Sequence, residues 1–585
     1  MAGEPVEGYA EERVTEQLDR GLVAFARDGG EGAYVGWRLL TSDPPDVAFN
    51  VYRRQKGGDW KRLNDEPIRE STDYVDRTAD GGSSCRYQVR TVTSDGEAAR
   101  SRAVSLRPRG GDAAHLSIPL KGDYTFQKVG IGDLNGDGRY DYVIKQPDTN
   151  IDPWFKAWKP SEGTYKVEAY LHDGTFLWRK DLGWAIERGI WYSPMVVYDF
   201  NGDGRAEVAL KTGEGDPRLQ KKPEDPPLTV AGDNPVYEHK VMTGPEYVSV
   251  LDGMTGETIC RADWPSREGY RNYNLACRNQ LCVAYLDGKT PCLIVERGTY
   301  GTIKLDAYQM HGGKLRKLWH WDNRKEPERY LGQGAHSMHA ADVDDDGRDE
   351  VFIGSAVVDD TGEGLWSTGL GHPDHHYVSD IMPDRPGLEV YYGLEGPNMT
   401  ASPGQNSMCV VNARTGDILW GLDERTWHVH SSGLCSDIRA DYRGLECYGL
   451  DREDPEGREA RLFSAQGELI SRRDMGFRPR AARWDADPQR ELLLGNRLQD
   501  YGGQKQSGEL KGEYVACADL VGDWREELVM CVPGELRVYT TTIPAADRRT
   551  CLMQNPLYRL DVAIAAMGYT QVPMTSYYMA GQGAE

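Results

Sequence analysis

Residues 332–354 read GQGAHSMHAADVDDDGRDEVFIG. The apolar run AHSMHAA leads into an acidic turn carrying Asp342, Asp344 and Asp346. Gly347 allows the chain to reverse, and Glu350 opens a second apolar run. Two short extended runs joined by an Asp/Gly turn predict a β-hairpin. Downstream, STGLGHPDHHYVSD (367–380) and RPGLEVYYGLEG (385–396) set His336, His372, Asp374, His375, His376 and Glu395 near the ends of successive strands. Strands of this kind are a scaffold whose loops carry the chemistry.

The acidic turn recurs along the chain as GDLNGDGRYDYVI, YDFNGDGRAEVAL, AYLDGKTPCLIV, SDIMPDRPGLEVY, SDIRADYRGLECY, WDADPQRELLL and ADLVGDWREELVM. The first acids of these copies are Asp133, Asp199, Asp287, Asp380, Asp437, Asp485 and Asp519. A second hairpin phrase follows most copies, as in VEAYLHDGTFLWRKD, VSVLDGMTGETIC, LDAYQMHGGKLRKLW, VVDDTGEGLWS, CVVNARTGDILWG and RLFSAQGELIS. With the copy at Asp342, eight repeats of strand, acidic turn, strand, glycine turn and strand predict an all-β, eight-bladed propeller over residues 115–585. Ahead of it, alternating runs such as AYVGWRLL, VAFNVYRRQ and CRYQVRTVT predict a small fibronectin-like antiparallel sandwich over 21–110. Residues 1–20 are polar and read as a peripheral lead-in.

Three acidic turns carry a full set of oxygen ligands: Asp133, Asn135, Asp137 and Asp141; Asp199, Asn201, Asp203 and Glu207; Asp342, Asp344, Asp346 and Glu350. Oxygens at alternate positions, a glycine and a closing acid follow the logic of a calcium loop, although the closing acid comes too early for an EF-hand. A solvated Asp/Gly turn is the plainer alternative, against which three in-phase copies argue. Such ions staple strands and need not touch substrate. The Asp519, Asp523, Glu527 copy has Val521 and Trp524 where an oxygen ligand and glycine belong, and is expected to bind no metal. His336, His372, Asp374 and Glu395 fall outside the repeat register, and their mixed donors suit zinc or manganese as readily as calcium.

Composition narrows the partners. A net charge of -23 argues against nucleic acid and against unaided binding of a polyanion, so an acidic substrate calls for local positive charge such as a divalent metal. The 67 glycines and 31 prolines fit many short strands and turns. No apolar run is long enough to span a membrane, and MAGEPVEGYAEERV lacks the signature of a signal segment. Eleven cysteines scattered singly through apolar strands suit free thiols in a reducing, cytoplasmic setting; a secreted protein whose leader was removed is the alternative.

Several of these phrases resemble the family-11 rhamnogalacturonan lyases: GQGAHSMHAADVDDDGRDE, STGLGHPDHHYVSDIMPDRPGLEV, ADLVGDWREE, VYTTTIP and PLYRLDVA, and, near the start, DRGLVAF, VGWRLL and DVAFNVYR. The resemblance covers nearly the whole chain. It implies an eight-bladed propeller behind a small β-domain, dependence on calcium, and cleavage of the rhamnose–galacturonate backbone of pectin by β-elimination. By this resemblance His336, His372, Asp374 and Glu395 hold the active-site calcium, and Lys511 matches the basic residue of the cleft. His428 and His430 occupy the loop where the family carries an arginine in a Gly-Arg-Gly step, and are competing bases. Tyr569 stands ready to stack on or donate to the sugar. The rhamnose-holding Asn-Gly-Thr has become Gly508-Glu509-Leu510, and the terminal PPH-type loop reads Val572-Pro573-Met574. The implied partner is an acidic, rhamnose-containing oligo- or polysaccharide bound by a monomer. Two other functions fit the residues: a glycoside hydrolase using Asp374 and Glu395 as its acid/base pair, and a non-catalytic calcium propeller that binds sugar.

Overall fold

The computed structural model describes residues 13–27, 31–80, 84–108, 113–154, 156–214, 244–395, 406–429, 433–452 and 457–581. The chain is all-β, as its alternation predicts. Each of the eight acidic turns joins the first and second strands of one small antiparallel sheet, and each glycine-turn phrase joins a third strand to a fourth. The first strands are Lys128–Gly132, Met195–Tyr198, Asn279–Ala284, Gly334–Ala341, Pro373–Ser379, Leu434–Ser436, Ala481–Ala482 and Glu513–Ala518. These strands are almost wholly buried, whereas fourth strands such as Thr258–Asp263 and Ile418–Gly421 face solvent. The eighth sheet is completed by Ala114–Pro119, which precedes the first sheet in sequence and pairs with Glu535–Thr540. The first strands of sheets eight and one also touch, so the series closes on itself.

Neighbouring sheets are joined by a repeated contact. Trp178, Trp319, Trp366 and Trp420, each on a fourth strand, donate their indole N–H to the carbonyls of Gly253, Asp360, Ala413 and Ala465 in the next sheet's hairpin turn, at 2.7–3.0 Å. Under each indole lies a glycine of that turn, Gly256, Gly362, Gly416 or Gly467, with φ between +70° and +86°. A β-carbon there would approach the ring to 2.6–2.7 Å, so the glycine is required twice, for the turn and for the contact. On the acidic-turn side the closing acid accepts the backbone N–H that follows the first acid. Examples are Leu134 to Asp141, Phe200 to Glu207, Val343 to Glu350 and Leu520 to Glu527, at 2.7–3.0 Å.

A helix, Pro556–Ile564, with Asn555 as its N-cap, contacts the first strands of sheets one, two, three, four and eight. Its polar side chains are the anchors. Arg559 makes a bidentate pair with Glu16 (2.7 and 2.8 Å), Tyr558 donates to Glu526, and Asp561 meets His339 at 2.7 Å. Residues 13–20 therefore differ from the expected peripheral lead-in. Glu16 is buried against the helix, Arg13 pairs with Asp349, and Asp19 pairs with Arg139. A buried arginine needs a carboxylate, and the lead-in supplies it.

The N-terminal domain packs two sheets over Trp37, Phe49, Val51, Tyr87 and Val89. It sits on the acidic-turn end of the larger domain. Tyr34 and Asp73 meet Asp523 and Arg525, and Arg102 pairs with Asp137. The opposite end is left free for the loops that precede each first strand. Replacing Trp366 with alanine should cost about 3–5 kcal/mol through lost packing and an unpaired carbonyl. Trp366→Phe, which keeps most of the volume, should recover the larger part; equal losses in urea denaturation would show that ring packing contributes little.

Candidate active site

Four side chains converge at the open end, where the first strands of sheets four and five begin. His336 lies near the start of Gly334–Ala341, His372 just precedes Pro373–Ser379, and Asp374 is its second residue. Glu395 follows the second strand, Glu389–Leu394. Strand pairing is irregular between Gly334 and His339 and again between Pro373 and His375, next to these side chains. Such bulges re-aim side chains away from the ladder, and His336 and Asp374 lie next to them.

The distances are those of one cluster. His336 Nε2 is 3.1 Å and His372 Nε2 3.6 Å from Asp374 Oδ1, and His372 Nε2 is 3.4 Å from Glu395 Oε2. His428 Nε2 adds a 2.9 Å contact to Glu395 Oε1. Two three-residue groups able to hold a metal ion, His336/His372/Asp374 and Asp374/Glu395/His428, share Asp374. His372 donates from Nδ1 to the Gly334 carbonyl, which fixes its tautomer and turns the Nε2 lone pair toward the carboxylates. That Nε2 is buried and makes no hydrogen bond among the described residues. Burial pushes His336 down to about 4, with the neighbouring His372 acting the same way and the Asp374 contact opposing, so the imidazole is neutral near neutral pH. Burial alone would raise Glu395, but the His428 hydrogen bond and the charge of His372 hold it below the usual carboxylate range. A neutral His336 imidazole, an ionised Glu395 and the buried His372 nitrogen fit a divalent cation.

An aromatic wall surrounds the cluster. Trp191 and Tyr569 lie 4.7 and 4.6 Å from the His336 ring, and Tyr300 lies 4.5 Å from that of His372. Arg278 stands over Trp191 and Tyr300 and is paired with Asp152 at 2.7 Å.

Known proteins match this chain over nearly its full length. The family model described as "Rhamnogalacturonan lyase family 11, C-terminal domain" matches residues 108–585, and that of "Rhamnogalacturonan I lyases beta-sheet domain" matches 13–106. The chain belongs to rhamnogalacturonan lyase family 11. It is 35% identical to rhamnogalacturonan endolyase YesW of Bacillus subtilis (strain 168), covering 99% of this chain and 94% of the relative. It is 34% identical to the exolyase YesX of the same organism, covering 97% and 95%. The crystal structure of YesX superposes with a TM-score of 0.85 over 97% of both chains. A Bacillus licheniformis lyase gives 0.85 over 98% of this chain and 99% of its own, at 34% identity. As a family-11 member the protein is a polysaccharide lyase.

Of the residues singled out from sequence, His336, His372, Asp374, Glu395, His428 and Tyr569 are brought together. His430 lies outside the described residues. Lys511 leads into the first strand of sheet eight with its side chain exposed and shows no contact to the cluster. Its backbone N–H donates to the Tyr539 hydroxyl at 3.0 Å. His375 is wedged against Gly393 and Gly433, where a β-carbon would strike its ring, and His376 packs on Tyr392; these two are core histidines. Leu510 is buried in the core and Glu509 turns to Arg497, so the altered triplet presents no asparagine or threonine to a sugar. In the Val572-Pro573-Met574 loop both flanking side chains are buried, and the Pro573 carbonyl accepts from Arg490. Trp191, Tyr300 and Arg278 were missed by sequence reasoning because single aromatics and arginines carry no spacing signal. The acid group Asp485/Asp487/Glu491 was read only as a repeat marker, although its spacing already differed from the other copies.

Replacing His336 or Asp374 with alanine should lower cleavage more than tenfold, about 1.4 kcal/mol or more in the barrier. The melting transition should survive, because neither side chain carries the joints between sheets. Retention of more than a tenth of the rate would remove these residues from the site.

Proposed function

We propose that this chain is an eight-bladed β-propeller lyase behind a fibronectin-like domain, and that it cleaves the rhamnose–galacturonate backbone of rhamnogalacturonan by β-elimination. The reaction rests on one observation above all: His336, His372, Asp374 and Glu395 form one cluster at the open end, with nitrogen–oxygen distances of 3.1–3.6 Å. The substrate rests on relatives that are named rhamnogalacturonan lyases. The propeller rests on the closed series of eight sheets.

In β-elimination a base takes the C5 proton of the uronate, the C4–O4 bond breaks with its electron pair going to oxygen, and a C4=C5 double bond forms. A divalent cation, calcium in this proposal, would be held by His336, His372, Asp374 and Glu395, and when bound supplies Lewis-acid neutralisation of the C6 carboxylate. Gly334 holds His372 in the required tautomer, and His428 positions Glu395. Lys511, acting as the neutral amine, takes the C5 proton and becomes the ammonium. Its side chain is exposed and has no carboxylate partner among the described residues, whereas His428 is engaged by Glu395. His430, in the same loop as His428, is the second candidate. Burial keeps Tyr569 a phenol, which can donate to the departing oxygen. The three oxygen-rich turns hold further, structural calcium ions. In the Asp342 turn, burial and the neighbouring acids raise Glu350 to about 9, a crowding of carboxylates that a cation would relieve. In the degenerate copy the guanidinium of Arg525 already occupies Asp523. Eleven cysteines outside any disulfide, ten of them buried, suit a reducing compartment and so a cytoplasmic location.

Incubation with rhamnogalacturonan should give a product that absorbs in the ultraviolet as a conjugated uronate, and chelation should abolish it. New reducing ends without absorbance would mean hydrolysis. Chelation should also lower the melting temperature, and calcium should restore it by mass action in the wild type more than in Asp203→Ala. A melting temperature blind to chelator would reduce the turns to plain structure.

The altered triplet and loops should also move specificity. Sites that hydrogen-bond particular hydroxyls discriminate by orders of magnitude when those partners change. Short rhamnose–uronate oligosaccharides should therefore be turned over more efficiently than the long polymer. Equal kcat/KM on both would show the departures to be neutral.

A further inference from the structure

Three basic side chains gather at the same open end and lack an anionic partner among the described residues. Lys128, at the start of the first strand of sheet one, is 6% exposed, and its Nζ donates to Thr570 Oγ1 at 2.6 Å. The Arg478 guanidinium lies 4.9 Å over the ring of Tyr569, the residue before Thr570. Arg480 stands 5.1 Å from the ring of Tyr514, whose buried hydroxyl has no hydrogen-bond partner. Among the described residues no hydrogen bond or ion pair joins Lys128, Arg478 or Arg480 to a carboxylate. Burial pushes Lys128 well below its ordinary value, and the neighbouring charges of Lys145, Arg480 and Arg478, all positive, act the same way. Arg278 is different, because Asp152 already neutralises it. Converging like charges without a counter-ion are costly in a partly buried cleft, and a bound anion offsets the cost.

We propose that Lys128, Arg478 and Arg480 form a second carboxylate subsite, which holds a uronate of the substrate other than the one being cleaved. The inference rests on the proposed lyase function and adds to it the position of the next acidic sugar. Tyr569 links the two sites: its ring lies 4.6 Å from that of His336, and the Arg478 guanidinium lies 4.9 Å from its centroid. In an alternating polymer a neutral rhamnose separates successive uronates. The Tyr569 ring, which can stack against a sugar face, lies between the two carboxylate sites in the same way. Arginine suits this role because its planar fork grips a carboxylate through two hydrogen bonds.

The test uses the full-length chain carrying His336→Ala, which removes the other carboxylate site, and titrates it calorimetrically with a rhamnose–galacturonate disaccharide and its carboxyl-reduced, neutral counterpart. The acidic sugar should bind at least tenfold more tightly, and adding Arg478→Gln or Arg480→Gln should erase the difference while leaving the neutral sugar unaffected. In the otherwise wild-type enzyme the same glutamine substitutions should raise KM on acidic oligosaccharides about tenfold with kcat little changed. Equal binding of acidic and neutral sugars, or a KM unmoved by either substitution in an enzyme that still forms the unsaturated product, would overturn the subsite alone. Absence of unsaturated product from the wild type would instead sink the lyase reading, while the titration would still decide the subsite. Arg478 is exposed, so its glutamine variant should fold, and an unchanged melting curve checks this.

Discussion

The structure depends on the contact between a tryptophan of one sheet and the hairpin turn of the next. A four-stranded sheet cannot bury both faces by itself, so its stability lies in the joint with its neighbours. Trp178, Trp319, Trp366 and Trp420 each bring a large apolar ring and one N–H, and the receiving turn offers a bare glycine and a carbonyl. The indole satisfies a turn carbonyl that would otherwise be left without a partner under the ring. Where this tryptophan is missing the joint is made differently. Sheet two carries Ile259 and Cys260 in its fourth strand, and at the closure Pro119 meets Gly174.

That joint determines where function can reside. Sheets locked side by side leave two rims. At one rim the acidic turns are tied down by their own closing acids and by the N-terminal domain, whose Tyr34, Asp73 and Arg102 reach Arg525 and Asp137. At the other rim the loops ahead of the first strands have no such cover, and His336, His372, Asp374, Arg278, Arg478 and Lys128 all gather there. The helix Pro556–Ile564 stiffens this arrangement from within. Its Arg559, Tyr558 and Asp561 are each satisfied by a residue from a different part of the chain, so moving one sheet would strand a buried charge.

What could be read from the sequence follows from what repeats. All eight acidic turns and the glycine hairpins lie between the strands expected, because period-two alternation and turn residues are local signals that tertiary context rarely overrides. The gathering of His336, His372, Asp374 and Glu395 was legible for a different reason: imidazoles and carboxylates in the wrong register for the repeat need an explanation of their own. The closing strand Ala114–Pro119 and the burial of Glu16 were not legible, since both arise from partners hundreds of residues away. The same holds for Trp191, Tyr300 and Arg278. Their importance is a matter of convergence in space, and His375 and His376, equally prominent in the sequence, turn out to fill core instead.

A protein of net charge -23 that acts on an acidic polymer poses an electrostatic question, which the distribution of charge answers. Screening at physiological salt confines exposed charges to a reach of about 8 Å, so the many surface carboxylates repel substrate only weakly from a distance. Inside the cleft the effective dielectric is lower and a few groups decide the outcome. Asp152 cancels Arg278, and Glu395 is held by His428 and His372, which leaves Arg478 and Arg480, with the buried Lys128 beside them, without a carboxylate among the described residues near Tyr569. The acidic surface then works as a filter. A polyanion gains nothing from generic contact with it, and in the proposed reading is held where a carboxylate can reach the His336 cluster or the arginines beside Tyr569.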